Sequence, residues 1–229
     1  MEERGRQTNQ SFNDDSSEEL DNSFDETWIE SYCSLDGNEF LCEVDQNFIS
    51  DEFNLYGLRA FIEHYEQALD IISSKTKIQS YDKNIRGQLI IETKLLYGLI
   101  HQRFIVTGSG LKRMYEKFRR GEFGACPRVL CDNHAVLPIG TSNIPYLSKT
   151  KLFCPRCGEI YSIPDGCCGS NLDGAYFGMT FPHLLMLNVS GIKKADKFKP
   201  TIFGFEIASS SAPSGRYNPT RDSFFVVKN

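Results

Sequence analysis

Residues 126–131 read CPRVLC and residues 154–157 read CPRC, so two short cysteine pairs are separated by 22 residues. A tight turn between paired cysteines presents two sulfur atoms to one ion, and Zn²⁺ prefers four such ligands in a tetrahedron. Two such turns at hairpin tips are typical of a zinc ribbon. We therefore predict one structural Zn²⁺ per chain, with metal binding coupled to folding. The predicted ligands are Cys126, Cys131, Cys154 and Cys157.

Other residues near these pairs leave alternatives open. The second pair alone could be a redox dithiol, although no βαβ pattern surrounds it. His134 could replace one sulfur, but a surface or core histidine fits better because four cysteines already satisfy zinc. Cys167 and Cys168 are adjacent and chelate one ion awkwardly, so we expect spectator thiols there, with a ligand swap as the alternative.

Charge is distributed unevenly along the 229 residues. Residues 1–58 hold 2 basic and 16 acidic side chains, whereas residues 59–229 hold 23 basic and 14 acidic ones. The acidic part argues against nucleic acid as its partner and favours basic partners. No apolar run follows Met1, so we expect no signal peptide. Residues 174–192 contain Pro182 and His183, and we interpret them as strands and turns rather than a membrane span.

The hydrophobic pattern and the cysteine pairs predict an α+β protein: an N-terminal α-helical domain followed by a zinc-ribbon β domain. Since 40% of the residues are hydrophobic, the chain can bury a core. The predicted boundaries are a disordered acidic tail at 1–27, the helical domain at 28–121, the zinc ribbon with its hairpin at 122–207, and a flexible tail at 208–229.

Three helices and one strand are predicted within these limits. Apolar residues at spacings of three and four predict a helix from Asn54 to Ile72, with Asn54 as its N-cap. A long helix starts at Asn84 and ends at the 107–110 break, and a short helix ends at Gly121. Residues 201–207 alternate with period two, which predicts one strand with Phe203 and Phe205 on the same face. The simpler interpretation of that face is an ordinary buried strand.

Motifs of catalysis are missing from the sequence. The glycines at 108 and 110 follow a helix and lack the Gly-Lys pair of a phosphate-binding loop. The kinase motifs H-R-D and D-F-G, the zincin motif H-E-x-x-H and the hydrolase motif G-x-S-x-G do not occur. Four thiolates would also leave zinc no open position for water or substrate. We therefore expect a non-catalytic protein.

Longer motifs point to one family. They read GNEFLCEVD (37–45), LYGLIH (96–101), GEFG (121–124), CPRV (126–129), LPIG (137–140), KLFCPRC (151–157), DGAYFG (173–178) and FPH (181–183). On these motifs the sequence resembles the regulatory (beta) subunits of casein kinase II over about residues 28–207. Several long motifs in one order are not expected by chance.

The resemblance implies a regulatory subunit that dimerises through its zinc ribbon and bridges two catalytic (alpha) subunits in a heterotetramer. Such a subunit stabilises the Ser/Thr kinase and modulates its substrate choice. The implied dimer contacts are Pro127, Val129 and Ile160. The resemblance also implies a C-terminal docking hairpin for the kinase, with Leu184, Phe203 and Phe205 as its docking residues. Other expected partners are protein substrates, including basic ones, and the expected location is the cytoplasm and nucleus. We expect neither a membrane nor a nucleic acid as partner.

Phosphorylation is a further implication. Casein kinase II favours serine with an acid three residues later, and this pattern occurs at Ser11, Ser16 and Ser23. The plain alternative is a solubilising acidic tail. The family commonly carries an acidic loop between its first helices, proposed to sense polyamines. Residues 73–84 here contain three lysines and one aspartate, so we do not expect polyamine regulation through this loop.

A rival class is a zinc-ribbon nucleic-acid or transcription adaptor, which would need a basic surface. Two basic runs occur, at 112–120 and 193–199, and such runs are more often solvated faces. A metalloenzyme is a third class, which the closed set of four thiolates argues against.

Overall fold

A computed structural model of the protein describes residues 27–196 and 198–207. The predictions for the rest of the two tails, including Ser11, Ser16 and Ser23, lie outside these residues. Within the described residues, no helix is long and apolar enough to cross a membrane.

Seven α-helices and two small sheets are seen in the described part. The helices are α1 (Trp28–Ser34), α2 (Gln46–Ser50), α3 (Glu52–Leu55), α4 (Tyr65–Ile72), α5 (Lys83–Phe104), α6 (Gly108–Arg120) and α7 (Phe181–Asn188). The strands are β1 (Leu137–Ile139), β2 (Lys151–Phe153), β3 (Ile160–Ser162), β4 (Thr201–Ile202) and β5 (Phe205–Glu206). β1, β2 and β3 form an antiparallel sheet in that order, and β4 pairs with β5.

The single helix predicted from Asn54 to Ile72 is wrong. The chain instead forms α3, a 3₁₀ turn at Leu58–Phe61, and α4. Asp51 is the N-cap of α3, and Gly57 adopts a left-handed φ of 79° that interrupts the helical path. The spacing misled because each short piece still buries its own apolar side chain, among them Leu55 and Ile62.

The central helix is α5, which begins one residue earlier than predicted. Asp82 is its N-cap and accepts a hydrogen bond from the Asn84 N–H at 2.9 Å. The glycines predicted to interrupt the chain after α5 form the first turn of α6, which is capped by Thr107 and ends at Gly121. α5 packs mainly against α4 and against the 3₁₀ turn Gly174–Tyr176.

Two predictions for the C-terminal part are also wrong. Residues 174–192, interpreted as strands and turns, contain the helix α7, with Pro182 near its first turn, where proline is well tolerated. Residues 201–207 form a hairpin rather than one strand, because Phe203 and Gly204 turn the chain with φ values of 50° and 86°. Leu184 therefore lies on α7 and not on the hairpin.

One continuous cluster of buried residues joins the helices to the cysteine-containing part. It includes Leu96 and Phe104 of α5 as well as Cys126, Cys131 and Cys154. The three-stranded sheet is small, and its outer strand β3 is mostly exposed. A cross-link between the cysteine turns would add the stability that so small a sheet lacks.

Candidate metal centre and exposed apolar surfaces

The first cysteine pair is held in a tight turn that precedes β1. The Cys126 N–H donates to the His134 carbonyl oxygen at 2.8 Å, and the His134 N–H donates to the Cys131 carbonyl oxygen at 2.9 Å. A 3₁₀ turn at Val129–Cys131 closes the loop. Both sulfur-bearing residues are buried. The local backbone hydrogen bonds therefore direct both thiols to the same side.

The second pair lies in the turn between β2 and β3. The Cys154 N–H donates to the Glu159 carbonyl oxygen at 3.0 Å, and the Gly158 N–H donates to the Cys154 carbonyl oxygen at 2.8 Å. Cys154 is buried and Cys157 is half-buried. A cysteine pair in the connection between two antiparallel strands is the arrangement that the sequence predicted.

The four sulfur atoms converge on one point. The Cys126–Cys157 and Cys131–Cys154 sulfur pairs are each 3.9 Å apart, and all four sulfurs lie within 4.8 Å of one another. A tetrahedron with zinc–sulfur bonds of about 2.3 Å has sulfur–sulfur edges of about 3.8 Å. The four cysteines therefore fit a metal ion and are consistent with zinc. Such an ion would cross-link the two turns, and no fifth residue among those that the structure describes joins this cluster.

The pKa values of Cys154 and Cys157 shift in opposite directions. Burial raises the pKa of Cys154, because the thiolate is poorly solvated there. Burial also opposes ionisation of Cys157, but hydrogen bonds from the Tyr161 hydroxyl, 3.4 Å away, and from the Glu159 backbone lower its pKa below the usual range. Metal binding must displace protons from such thiols, so affinity for the ion should weaken in acid.

Two arginines connect the cysteine turns to the segment that leads to the hairpin. Arg128 donates to the Asp196 carbonyl oxygen at 2.6 Å, and the Ala195 N–H donates to the Arg156 carbonyl oxygen at 2.9 Å. Arg156 also donates to the Cys131 carbonyl oxygen at 3.0 Å. The position of residues 195–196 is therefore set by both cysteine turns together.

The remaining candidate ligands lie outside the cluster. The His134 Nδ1 faces the Ala135 carbonyl oxygen at 2.8 Å, and the imidazole packs near Phe118. The Cys168 thiol donates to Glu39 at 2.8 Å, and Cys167 is exposed. The expectation of four cysteine ligands without His134 therefore agrees with the geometry.

Apolar side chains beside the cysteine turns are exposed. Val129 is 88% exposed and Ile160 is 46% exposed, and Pro127 is also on the surface. All three are the positions implied as dimer contacts. Leu130 is exposed as well, which the sequence analysis did not single out. Exposed apolar residues grouped beside a small sheet mark an interaction surface.

The hairpin β4–β5 also presents apolar side chains to solvent. Phe203, at its turn, is 97% exposed, and Phe205 is 57% exposed. The alternative of an ordinary buried strand is therefore wrong for this chain. Leu184 is only partly exposed on α7, a different element from the hairpin. The structure thus distributes the three implied docking residues over two elements.

Sequence reasoning missed further exposed apolar side chains in this part of the protein. Leu187 on α7 is 84% exposed, Phe198 is 74% exposed, and Ile202 on β4 is 52% exposed. For Leu187, the only sequence signal was the high apolar content of residues 181–189. This content does not predict an exposed side chain unless it is known that these residues form a helix with one face unpartnered.

Three of the five basic side chains in the α6 run form ion pairs. Arg113 pairs with Asp45 and with Glu43, and Lys117 and Arg120 both pair with Glu122. A nucleic-acid surface needs basic side chains that can reach phosphates. These contacts therefore argue against the nucleic-acid adaptor for α6.

The described residues match a known protein family. A family model described as "Casein kinase II regulatory subunit" matches residues 27–206, which is most of the chain. This chain belongs to the casein kinase II regulatory subunit family. The description names a regulatory subunit, in agreement with the expectation of a non-catalytic chain.

Individual relatives agree with the family match. The chain is 42% identical over 205 residues to "Casein kinase II subunit beta" of Dictyostelium discoideum. The aligned region covers 87% of this chain and 76% of the relative. It is 42% identical over 188 residues to the protein of the same name from Schizosaccharomyces pombe, covering 81% and 80%. It is 40% identical over 191 residues to "Casein kinase II subunit beta'" of Drosophila melanogaster, covering 82% and 87%.

Proposed function

We propose that this protein is a zinc-dependent homodimer that binds two casein kinase II catalytic subunits, stabilises them and modulates their substrate choice. The observation that carries the proposal is the exposed aromatic hairpin, because aromatic side chains on a surface are the usual anchors of protein interfaces. The family membership of the chain names the kinase that such a hairpin would bind.

The four cysteines would hold Zn²⁺, which supplies a structural cross-link and no chemistry of its own. With the two turns fixed, Pro127, Val129 and Ile160 form a surface that a second copy of the chain can cover. Burying such side chains contributes roughly 25 cal/mol per Å² of apolar area removed from water. Symmetric pairing would then place two docking surfaces, and hence two catalytic subunits, on one dimer.

Regulation of substrate choice would come from charge. Residues 1–58 carry a net charge of −14, which attracts basic substrates at long range and lowers the local concentration of acidic ones. The same kinase would phosphorylate Ser11, Ser16 and Ser23 in this acidic part, and the complex would act in the cytoplasm and nucleus.

The docking proposal is tested by the double substitution of Phe203→Ala and Phe205→Ala. Loss of two anchors should weaken binding to a casein kinase II catalytic subunit by roughly tenfold or more, measured by isothermal titration calorimetry. The matched control is Phe53→Ala with Tyr56→Ala, which removes two other exposed aromatics. Unchanged affinity in the hairpin variant, or an equal loss in the control, would contradict the assignment.

A further inference from the structure

The chain enters the described structure beside a basic segment, which we define as residues 74–86. The Trp28 N–H donates to the Ser74 hydroxyl oxygen at 3.1 Å, so the start of α1 is in contact with the first residue of that segment. Thr27 and Glu30 form a capping box that fixes how the chain enters α1. The point at which residues 1–26 join the described structure therefore lies next to residues 74–86.

The basic segment carries more basic than acidic side chains. Lys75, Lys77 and Lys83 are exposed and Arg86 is partly exposed, against one acid, Asp82, which caps α5. By sequence the segment has a net charge of +3. Outside the segment, Asp70 lies 3.7 Å from the Lys75 ammonium.

The basic segment is held in shape by its own hydrogen bonds. Arg86 donates to the Tyr81 carbonyl oxygen at 3.0 Å and to the Gln79 carbonyl oxygen at 2.5 Å. The Lys75 N–H donates to the Asp70 carbonyl oxygen at 2.9 Å. These contacts fix the backbone path of the segment on which the three lysines lie.

The tethered residues have the complementary charge. Residues 1–26 contain nine acidic and two basic side chains. A chain spans at most about 3.5 Å per residue, so Ser23 stays within about 14 Å of Thr27. Asp25 and Glu26 are closer still. A short tether of this kind gives an effective concentration in the millimolar range, and the distances are comparable with the Debye length of about 8 Å at physiological salt.

We propose that residues 1–26 bind in cis to the basic segment of the same chain. The acidic residues 25 and 26 and the acidic cluster before them cover Lys75, Lys77 and Lys83. A phosphate on Ser23 would tighten this contact, since it adds about −1.5 to −2 of charge. The contact would also compete with basic substrates for the acidic side chains of residues 1–26. It would therefore weaken the electrostatic attraction of the chain for basic substrates. The docking does not depend on the kinase partner or on dimer formation.

The test uses the full chain and a glutamate-specific protease, whose sites within residues 1–26 are Glu2, Glu3, Glu18, Glu19 and Glu26. Substituting Lys75→Gln, Lys77→Gln and Lys83→Gln together should speed the release of N-terminal fragments several-fold at low salt, followed by mass spectrometry. The matched control, Lys112→Gln with Lys193→Gln and Lys194→Gln, removes three other exposed lysines and should leave the rate unchanged. Substituting the three segment lysines by arginine should preserve the protection.

Salt and chain pairing separate the remaining possibilities. At about 1 M salt the Debye length is about 3 Å, so the unsubstituted chain should be cut as fast as the glutamine variant. Equal cleavage rates of the two at low salt would overturn the proposal. If the chain is dimeric, a mixed dimer can be formed from the glutamine variant and a copy that lacks residues 1–26. In that dimer residues 1–26 are present only on the glutamine variant, and the intact lysines are present only on the other copy. Protection in that mixed pair would show docking on the partner copy and overturn docking in cis.

Discussion

At the scale of single residues, His101 connects three parts of the chain. The Cys42 N–H donates to its Nε2 at 3.1 Å. Its Nδ1 lies 2.8 Å from the Tyr176 carbonyl oxygen, which can only accept, so Nδ1 carries the proton. The imidazole is fully buried and neutral in this arrangement. A second proton on Nε2 would face the Cys42 N–H and abolish the contact.

His101 should make the protein sensitive to mild acid. Burial lowers the pKa of His101 from 6.5 to about 4. Between these values the unfolded chain binds more protons than the folded one, so stability is lost as the pH falls below 6.5. We expect the free energy of unfolding to drop by about 2 kcal/mol between pH 7 and pH 5 from this residue alone. Urea titration followed by fluorescence of Trp28, the only tryptophan, measures this loss.

Two comparisons isolate His101 from the other titrating groups. His101→Gln should show a smaller loss of stability between pH 7 and pH 5, whereas a change at the exposed His183, His183→Gln, should not alter it. The imidazole NMR resonances of His101 should also stay in the neutral form down to about pH 5. Titration of His101 near pH 6.5 would contradict the role given to its burial.

The contacts of His101 could not be derived from sequence. Cys42, His101 and Tyr176 all lie in the motifs that suggested the family, but they are 59 and 75 residues apart along the chain. Spacing rules describe neighbours on one element, and they cannot show which distant segments meet. In contrast, the four cysteines were found from sequence because zinc geometry itself imposes the short spacing within each pair.

At the scale of elements, sequence patterns succeeded where one period ran for several turns. α5 and α6 were predicted to within a few residues of their ends because their apolar spacing is regular and Gly121 is a clear stop signal. The N-caps Asp82 and Thr107 were not predicted. The region 52–72 failed because three short pieces share the spacing of one helix. α7 was missed because its apolar residues surround the whole helix and give no periodic face.

Two glycines of α5 provide a test of how tightly this helix is packed. A Cβ at Gly98 would lie 2.1 Å from the Tyr176 ring, so Gly98→Ala should destabilise the protein by about 1–3 kcal/mol. Gly87 is exposed, and no described atom lies within 4 Å of a Cβ there. Gly87→Ala should therefore stabilise α5 by up to about 1 kcal/mol. Thermal unfolding of both variants measures these shifts, and equal effects of the two would refute the packing described for Gly98.

At the scale of the whole molecule, residues 195–196 connect the cysteine turns to the segment that leads to the β4–β5 hairpin. Arg128 and Arg156 make hydrogen bonds to this short stretch. Loss of the metal should thus disturb both the proposed dimer surface and the start of the path to the hairpin. The division into two domains at residue 121 stays a prediction, because one buried cluster includes side chains from both sides.

Sequence alone predicted the four-cysteine cluster and the family, but not the form of the exposed aromatic hairpin. The period-two pattern of residues 201–207 was wrongly assigned to one strand, and by itself it favoured a buried face; only the family resemblance implied an exposed one. Phe203 adopts a positive φ, which is uncommon for a bulky residue, so the pattern gave no warning of a turn. Exposure of an apolar side chain depends on what the rest of the chain leaves uncovered, which a local pattern does not contain.

The central claim is that metal, dimer and kinase binding belong to one assembly. Native mass spectrometry of the chain mixed with a casein kinase II catalytic subunit tests it most directly. We expect a complex of two regulatory and two catalytic chains that carries one zinc ion per regulatory chain, and Cys154→Ser should lose zinc and the complex together. A zinc-loaded dimer that does not bind the kinase, or a zinc-free Cys154→Ser variant that still forms the complex, would contradict the account.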